Sequence, residues 1–408
     1  MYNMSIIRNV TLSTQNRLKD DEILLFIGPR QAGKTTILKQ LQSLLQEKNE
    51  MVYFLNLEDP DYLDLLNKSP KNLFKIFTMD LNKRLFVLID EIQYLKNPSH
   101  FLKYFYDEYG GKIKILVSGS SAFYLDKKFK DSLAGRKKIF YVRTLSFDEF
   151  LRFKNESDLA QIVSEKKKPA LREKEKISFY FREYLIYGGY PRVVLAPLEE
   201  KTDILREIAY SYIKKDIYEA NVRQDEIFYK LLKILAGQIG NLVNASELAL
   251  TLGVSKTTID NYLYVMRKSF HLHLVKPFYR NIRKELTKMP KVYFADFGLR
   301  NFFTDNFKSF ETREDKGALL ENAAFRQLLE RYDEDSIKFW RTIQKNEVDF
   351  VAAEKTAYEV KVNPEQFKKS NYQIFLENYP MIDFSIVALD AKANFSKGGV
   401  KILEIWMV

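Results

Sequence analysis

The chain has 408 residues, 46% of them hydrophobic, enough for two to four domains with sizeable cores. It has no cysteine and three histidines, which excludes disulfides, thiolate zinc sites and cysteine nucleophiles and argues against multi-histidine metal centres and serine–histidine triads. Lysine and arginine outnumber the acids 65 to 54, and the net charge of +11 favours a polyanionic partner, nucleic acid before an acidic membrane surface.

No apolar run approaches the roughly 20 residues of a membrane span, and residues 1–18 lack a signal-peptide core. A cytoplasmic protein with no membrane partner is expected. The first strong element is the apolar run 23–27, which reads as a strand buried on both faces. It leads into Gly28, Pro29, Arg30, Gln31, Ala32, Gly33, Lys34 and Thr35, a match to G-x-x-x-x-G-K-[ST]. Helical spacing of apolar residues follows from Thr36 to Gln46. Strand, glycine loop and helix together predict a phosphate cradle made of backbone N–H groups and a helix N-terminus, with Thr36 at its rim. Lys34 is expected to reach the β- and γ-phosphates of ATP, and Thr35 to hold Mg²⁺.

A second strand is read at 51–57 and a third at 85–89, ending in Asp90 and Glu91. An apolar strand closing on an acidic pair is the Walker B pattern: Asp90 on Mg²⁺ through water, Glu91 polarising the attacking water. A fourth strand, 113–117, runs into Ser118-Gly119-Ser120-Ser121. Ser118 is read as a sensor of the γ-phosphate or as a helix N-cap. Arg136, ahead of a strand at 139–142, is a candidate for stabilising transition-state charge, in cis or from a neighbouring subunit of a homo-oligomer, or else a surface arginine.

Several stretches together resemble a family. They are G-P-R-Q-A-G-K-T at 28–35, L-I-D-E-I-Q at 88–93, S-G-S-S at 118–121, L-A-G-R at 133–136 and L-S-F-D-E-F at 145–150. Further on come G-G-Y-P at 188–191, K-K-D-I at 214–217, K-V-Y-F-A-D-F-G-L-R-N at 291–301 and E-V-D-F at 347–350. The chain resembles the archaeal and bacterial AAA-type P-loop ATPases that carry a C-terminal domain of unknown function. The resemblance implies ATP binding.

Residues 1–155 are therefore expected to form a P-loop core with a parallel sheet. Residues 156–222 read as a helical lid, with the glycines and proline at 188–191 marking a fixed turn. In 223–305 the pattern at 245–263 is a short helix, a glycine turn and a second helix, and the segments 271–275 and 291–294 can form a wing. A winged helix facing DNA through residues 255–258 and Asn261 is the expectation, with interdomain packing as the other use of such a module. His271 and His273 alternate with leucines and read as ordinary strand residues.

Residues 306–408 are expected to form a small α/β domain. Its helix 317–331 carries Glu321 in the middle of an apolar face, costly unless something charged meets it. Two alternating segments follow, one holding Asp349, the other Glu359 and Lys361 on a shared face. This order looks like the PD-(D/E)xK restriction-endonuclease-like fold, with Val348 where proline is usual. That likeness implies a Mg²⁺ or Mn²⁺ centre held by Glu321, Asp349 and Glu359, with Lys361 positioning a water. Two outcomes are carried forward: ATP-coupled binding or metal-dependent cleavage of DNA, and an ATP-driven switch whose C-terminal region binds a partner without cutting.

Overall fold

The computed structural model describes residues 6–120, 133–220, 222, 224–279, 285, 288–390 and 396–408. The chain divides into two compact units. The first comprises Met1–Thr144 with two short returns of the chain, Lys215–Asn221 and Lys268–Phe270. The second takes the rest, from Leu145 onward.

The first unit is built on a five-stranded sheet in the order β2-β3-β4-β1-β5. Its strands are β1 (Ile23–Ile27), β2 (Met51–Asn56), β3 (Leu85–Asp90), β4 (Ile113–Gly119) and β5 (Lys137–Tyr141), and every pairing is parallel. Alternation explains why these apolar runs become strands. Ile23, Leu25 and Ile27 enter one core together with Leu85, Val87, Ile89, Ile113, Ile115 and Val117. Leu24, Phe26, Phe86, Leu88 and Leu116 enter the core on the other face. Helix α1 (Lys34–Glu47) lies on that second face through Ile37, Leu38, Leu41 and Leu45. Because β4 is inserted between β1 and β3, the phosphate loop, the end of β4 and the acidic end of β3 open along one edge of the sheet.

The second unit begins with helices, including α2 (Leu171–Tyr187), and continues through α3 (Asp225–Gly237), α4 (Ala245–Leu252) and α5 (Lys256–Lys268). A two-stranded antiparallel ribbon follows, β6 (Leu272–Val275) with β7 (Lys291–Phe294), then helix α6 (Phe297–Phe303) and helix α7 (Lys316–Leu328). The remaining strands are β8 (Ile337–Arg341), β9 (Glu347–Ala352), β10 (Thr356–Val360), β11 (Asp383–Ala388), β12 (Ser396–Lys397) and β13 (Val400–Glu404). They form a six-stranded mixed sheet in the order β12-β13-β11-β10-β9-β8.

The expected four segments thus gather into two units, and the break falls after Thr144 instead of near 155. The reason is a shared core. Leu145, Phe147, Phe150, Phe181, Tyr184 and Phe297 pack in one cluster with Leu320, Phe325, Phe350, Val387 and Trp406. Residues read as lid and as C-terminal domain bury the same apolar surface, so nothing separates them. The turn at 188–191 is structural, as expected: Asp296 accepts from Gly189 N at 2.8 Å and from Leu299 N at 3.1 Å.

Candidate nucleotide site and C-terminal acid cluster

The phosphate loop is held by close packing and by conformation. A Cβ at Gly28 would stand 1.9 Å from the Val142 carbonyl oxygen, so β1 and the end of β5 can approach only across a glycine. Gly33 caps α1 at φ +96°, in the left-handed region. Gln31 shares that region at φ 60° without being glycine. From below, the buried Arg8 donates to the Ala32 carbonyl at 2.7 Å and to the Arg143 carbonyl at 2.9 Å. Lys34 opens α1 and is buried; its ammonium donates to the carbonyls of Gly28 at 3.0 Å and Pro29 at 2.8 Å. Burial lowers its pKa, opposed by Glu91.

The second half of the site comes from β3 and β4. Thr35 donates its hydroxyl to Asp90 Oδ2 at 2.6 Å, across 55 residues of sequence. Ser118, fully buried at the end of β4, donates to Asp90 Oδ1 and accepts from the Glu91 N–H at 3.1 Å. It therefore positions both acids and caps no helix. Burial raises the Asp90 pKa, while the hydrogen bonds from Ser118 and Thr35 oppose the rise. Glu91 sits at φ 57°, left-handed for a non-glycine residue, and its carboxylate accepts from Gln93 Nε2. The same Gln93 amide donates to Ser120 Oγ at 2.9 Å. Ser121 lies outside the described residues.

Arg30 is turned to carboxylates that the sequence reading gave no role. Its guanidinium lies 3.3 Å from Asp216 Oδ1 and is paired with Glu219 on the helix Ile213–Glu219. Burial works against the Arg30 charge, and Glu219 and Asp216 outweigh it, holding its pKa above the ordinary value. Burial likewise raises the pKa of Glu219.

Arg136 is not brought to this edge. Its backbone carbonyl accepts from Ile23 N, at the opposite end of β1 from the loop. Five residues of strand, about 16 Å, separate the two ends. Its side chain is paired with Asp107 at 3.1 Å and lies over the Tyr106 ring at 5.7 Å. That geometry puts a cis role out of reach; a surface arginine and a role toward a neighbouring copy both fit it.

In the second unit the residues read as a metal centre do come together. Asp349 on β9 stands one step beyond the Phe350–Tyr358 pair, which sets it opposite Glu359 on β10. Asp349 Oδ2 accepts from Val360 N at 2.8 Å. Glu359 Oε1 accepts from Lys361 Nζ at 2.6 Å and from Tyr372 at 2.8 Å. Burial raises the pKa of Asp349, and neighbouring Glu359 and Glu321 raise it further; burial also raises Glu359, against Lys361. Glu321, from α7, meets the charge its apolar surroundings demanded. Lys291 Nζ on β7 lies 2.8 Å from Glu321, 2.5 Å from Glu347 and 3.9 Å from Asp349. Tyr293 donates to Glu321 at 2.5 Å. Burial disfavours the Lys291 charge, yet the three carboxylates hold its pKa above the ordinary value. Among the described residues, no three acidic or histidine side chains are placed to hold a metal ion. The donor set that the nuclease likeness implied is present, but ammonium, phenol and backbone N–H groups already pair with Glu321 Oε1, Asp349 Oδ2 and Glu359 Oε1, and an ammonium stands among the carboxylates where a divalent cation would have to sit.

Residues 20–151 match the family model of the AAA domain. Residues 178–309 and 316–408 match two models described as domains of unknown function, DUF8612 and DUF4143. An uncharacterized protein of Haemophilus influenzae is 28% identical over 352 residues, covering 82% of this chain and 81% of its own. An uncharacterized protein of Methanocaldococcus jannaschii is also 28% identical, covering 82% and 73%. Among solved structures, Caenorhabditis elegans PCH-2 is 18% identical over 51% of this chain and 61% of its own, at a TM-score of 0.32. Cdc6p from Pyrobaculum aerophilum is 12% identical over 74% and 93%, at 0.31. Superpositions this partial do not bear on function. The parallel five-stranded sheet and its phosphate loop agree with the match of residues 20–151 to the AAA domain. Among the described residues, no helix is long and apolar enough to cross a membrane.

Proposed function

We propose that the chain hydrolyses ATP and uses the nucleotide state of its first unit to control how its second unit engages DNA. The observation that carries the first half is the meeting of Thr35 with Asp90 at 2.6 Å, beside Glu91 and the buried Lys34. Thr35 and Asp90 are hard oxygen donors suited to Mg²⁺, which when bound to ATP neutralises charge on the β- and γ-phosphates. Lys34 and the N–H groups opening α1 bind the phosphates. Glu91 accepts a proton from, and orients, the attacking water. Ser118 and Gln93 fix the two acids.

The second half rests on the net charge of +11 and on the α4–α5 helix pair. Asn244 caps α4 by accepting from Ser246 N, and Gly253 makes the turn at φ +67°. The helices α3 to α5 with the β6–β7 ribbon have the order of a winged helix. Lys256, Thr257, Asn261 and Tyr264 of α5 are exposed, and Lys256 is paired with Asp260 at 2.6 Å. These side chains are suited to phosphate and groove contacts.

Metal-dependent cleavage is the second reading, favoured by the convergence of Asp349, Glu359 and Lys361. It requires the acid cluster to take up Mg²⁺ or Mn²⁺. The test measures phosphate release with and without single-stranded, duplex and branched DNA, and cleavage of the same labelled DNAs with either metal. DNA-stimulated hydrolysis is expected. No stimulation by any of these DNAs would sink the coupling, and cleavage lost in Asp349→Ala would establish the second reading.

A further inference from the structure

The C-terminal acid cluster contains its own cation. Lys291 is 1% exposed, and three carboxylates from two elements, α7 and β9, surround its ammonium. The same carboxylates have further donors. Glu321 Oε1 also takes the Tyr293 hydroxyl, and Glu347 Oε2 pairs with Arg341 at 3.0 Å. Asp349 takes the Val360 N–H, and Glu359 takes Lys361 and Tyr372. The backbone closes the cluster as well: a Cβ on Gly240, whose φ is +77°, would lie 3.0 Å from Glu321 Oε2.

The charges make the same point. Four carboxylates (Glu321, Glu347, Asp349 and Glu359) face three cations: Lys291, Lys361 and Arg341. A divalent ion would need carboxylate oxygens at about 2.0–2.1 Å for Mg²⁺, and the ammonium holds those oxygens at hydrogen-bond and ion-pair distances. Lys291 also has little freedom to leave. It is on a strand, paired with Val275, and its ammonium lies 5.4 Å from the centre of the Phe339 ring.

We infer that Lys291 is the resident cation of this cluster and takes the place of a divalent metal, so that the second unit holds no metal at Asp349 and Glu359. The inference goes beyond the ATPase reading and is independent of it. It weighs against cleavage, because the step that needs a metal-activated water has no metal to activate it.

The test is Mn²⁺ binding by the full chain, without nucleotide, followed by electron paramagnetic resonance and by Tm. The variants are wild type, Asp349→Asn, Lys291→Met, and the last two combined. Wild type should bind no Mn²⁺ that Asp349→Asn removes. Lys291→Met should gain a single Mn²⁺ per chain and a Tm that climbs with Mn²⁺, and the double variant should lose both gains. Mn²⁺ bound by wild type and lost in Asp349→Asn would overturn the inference. So would a folded Lys291→Met that gains no metal. If Lys291→Met does not fold, the comparison of wild type with Asp349→Asn still decides. Because nucleotide is left out, the result does not depend on whether the chain hydrolyses ATP.

Discussion

Glu91 holds a left-handed backbone at φ 57°, a conformation that costs a non-glycine residue of order 1–3 kcal/mol. The neighbouring contacts from Ser118 and Gln93 over-determine it, which suits a base that must be aimed in advance. Glu91→Gln should therefore retain ATP binding and lose hydrolysis by about 10²–10⁴-fold, checked by phosphate release alongside binding of a fluorescent ATP analogue. Arg30 gives a second prediction. Two carboxylates hold its guanidinium at the phosphate loop, so weakening one should free it for phosphate. Asp216→Asn is expected to lower the KM for ATP several-fold, and an unchanged or raised KM would rule that out. The local residues of this site were legible because Lys34 and Thr35 open a helix after a glycine loop, while Asp90 and Glu91 close an apolar strand. The partners of Arg30 were not, since 186 and 189 residues separate them. Asp216 and Lys291 both lay within stretches already singled out, K-K-D-I and K-V-Y-F, but an isolated charge in a sequence does not name the charge it meets.

Strands β1, β3 and β4 announced themselves as apolar runs whose residues alternate between two buried faces, with Lys114 in β4 a buried charge among them. What alternation could not give was strand order, and strand order decided the fate of Arg136. The insertion of β4 between β1 and β3 put Ser118 on Asp90, while parallel pairing of β5 with β1 sent Arg136 to the far end. At this scale Gly28→Ala is the sharpest substitution. Its methyl group would overlap the Val142 carbonyl, so β5 must shift, at a cost of about 1–3 kcal/mol or more. A lowered Tm with loss of nucleotide binding is expected from thermal denaturation and binding titration. The helix α7 was legible in the same way, from Glu321 on an apolar face; the β7 lysine that answers it was not.

For the whole molecule, one apolar core runs through residues of all four expected segments. Sequence shows where composition changes, and cores ignore such boundaries when amphipathic faces match. One ion-pair group inside this shared unit sets an acid limit. Asp315 bridges Arg300 and Arg313, and although burial opposes its charge, the two guanidiniums bring its pKa down to about 2. A carboxylate with a folded pKa below its unfolded value of about 3.9 adds stability above that value and loses it as pH falls toward 2. Wild type should lose more stability than Asp315→Asn between pH 5 and pH 2 by roughly a few kcal/mol at most, measured by urea unfolding across that range. Assembly gives the remaining prediction. If Arg136 serves a neighbouring copy, mixing Arg136→Ala with Glu91→Gln subunits should restore hydrolysis that neither variant has alone; a mixture as inactive as its parts would dismiss that role.

The first unit also has a birth order. Its opening 144 residues include every strand of the nucleotide sheet, yet the carboxylates that neutralise Arg30 arrive with Lys215–Asn221, and the last piece with Lys268–Phe270. At roughly 5–20 residues per second of synthesis, the ribosome leaves that sheet waiting on the order of ten seconds for its missing parts. A nascent chain stopped shortly after β5 should expose an uncompensated arginine in its phosphate loop, and a gene fragment cut there should yield an ATPase fold that is incomplete from the start.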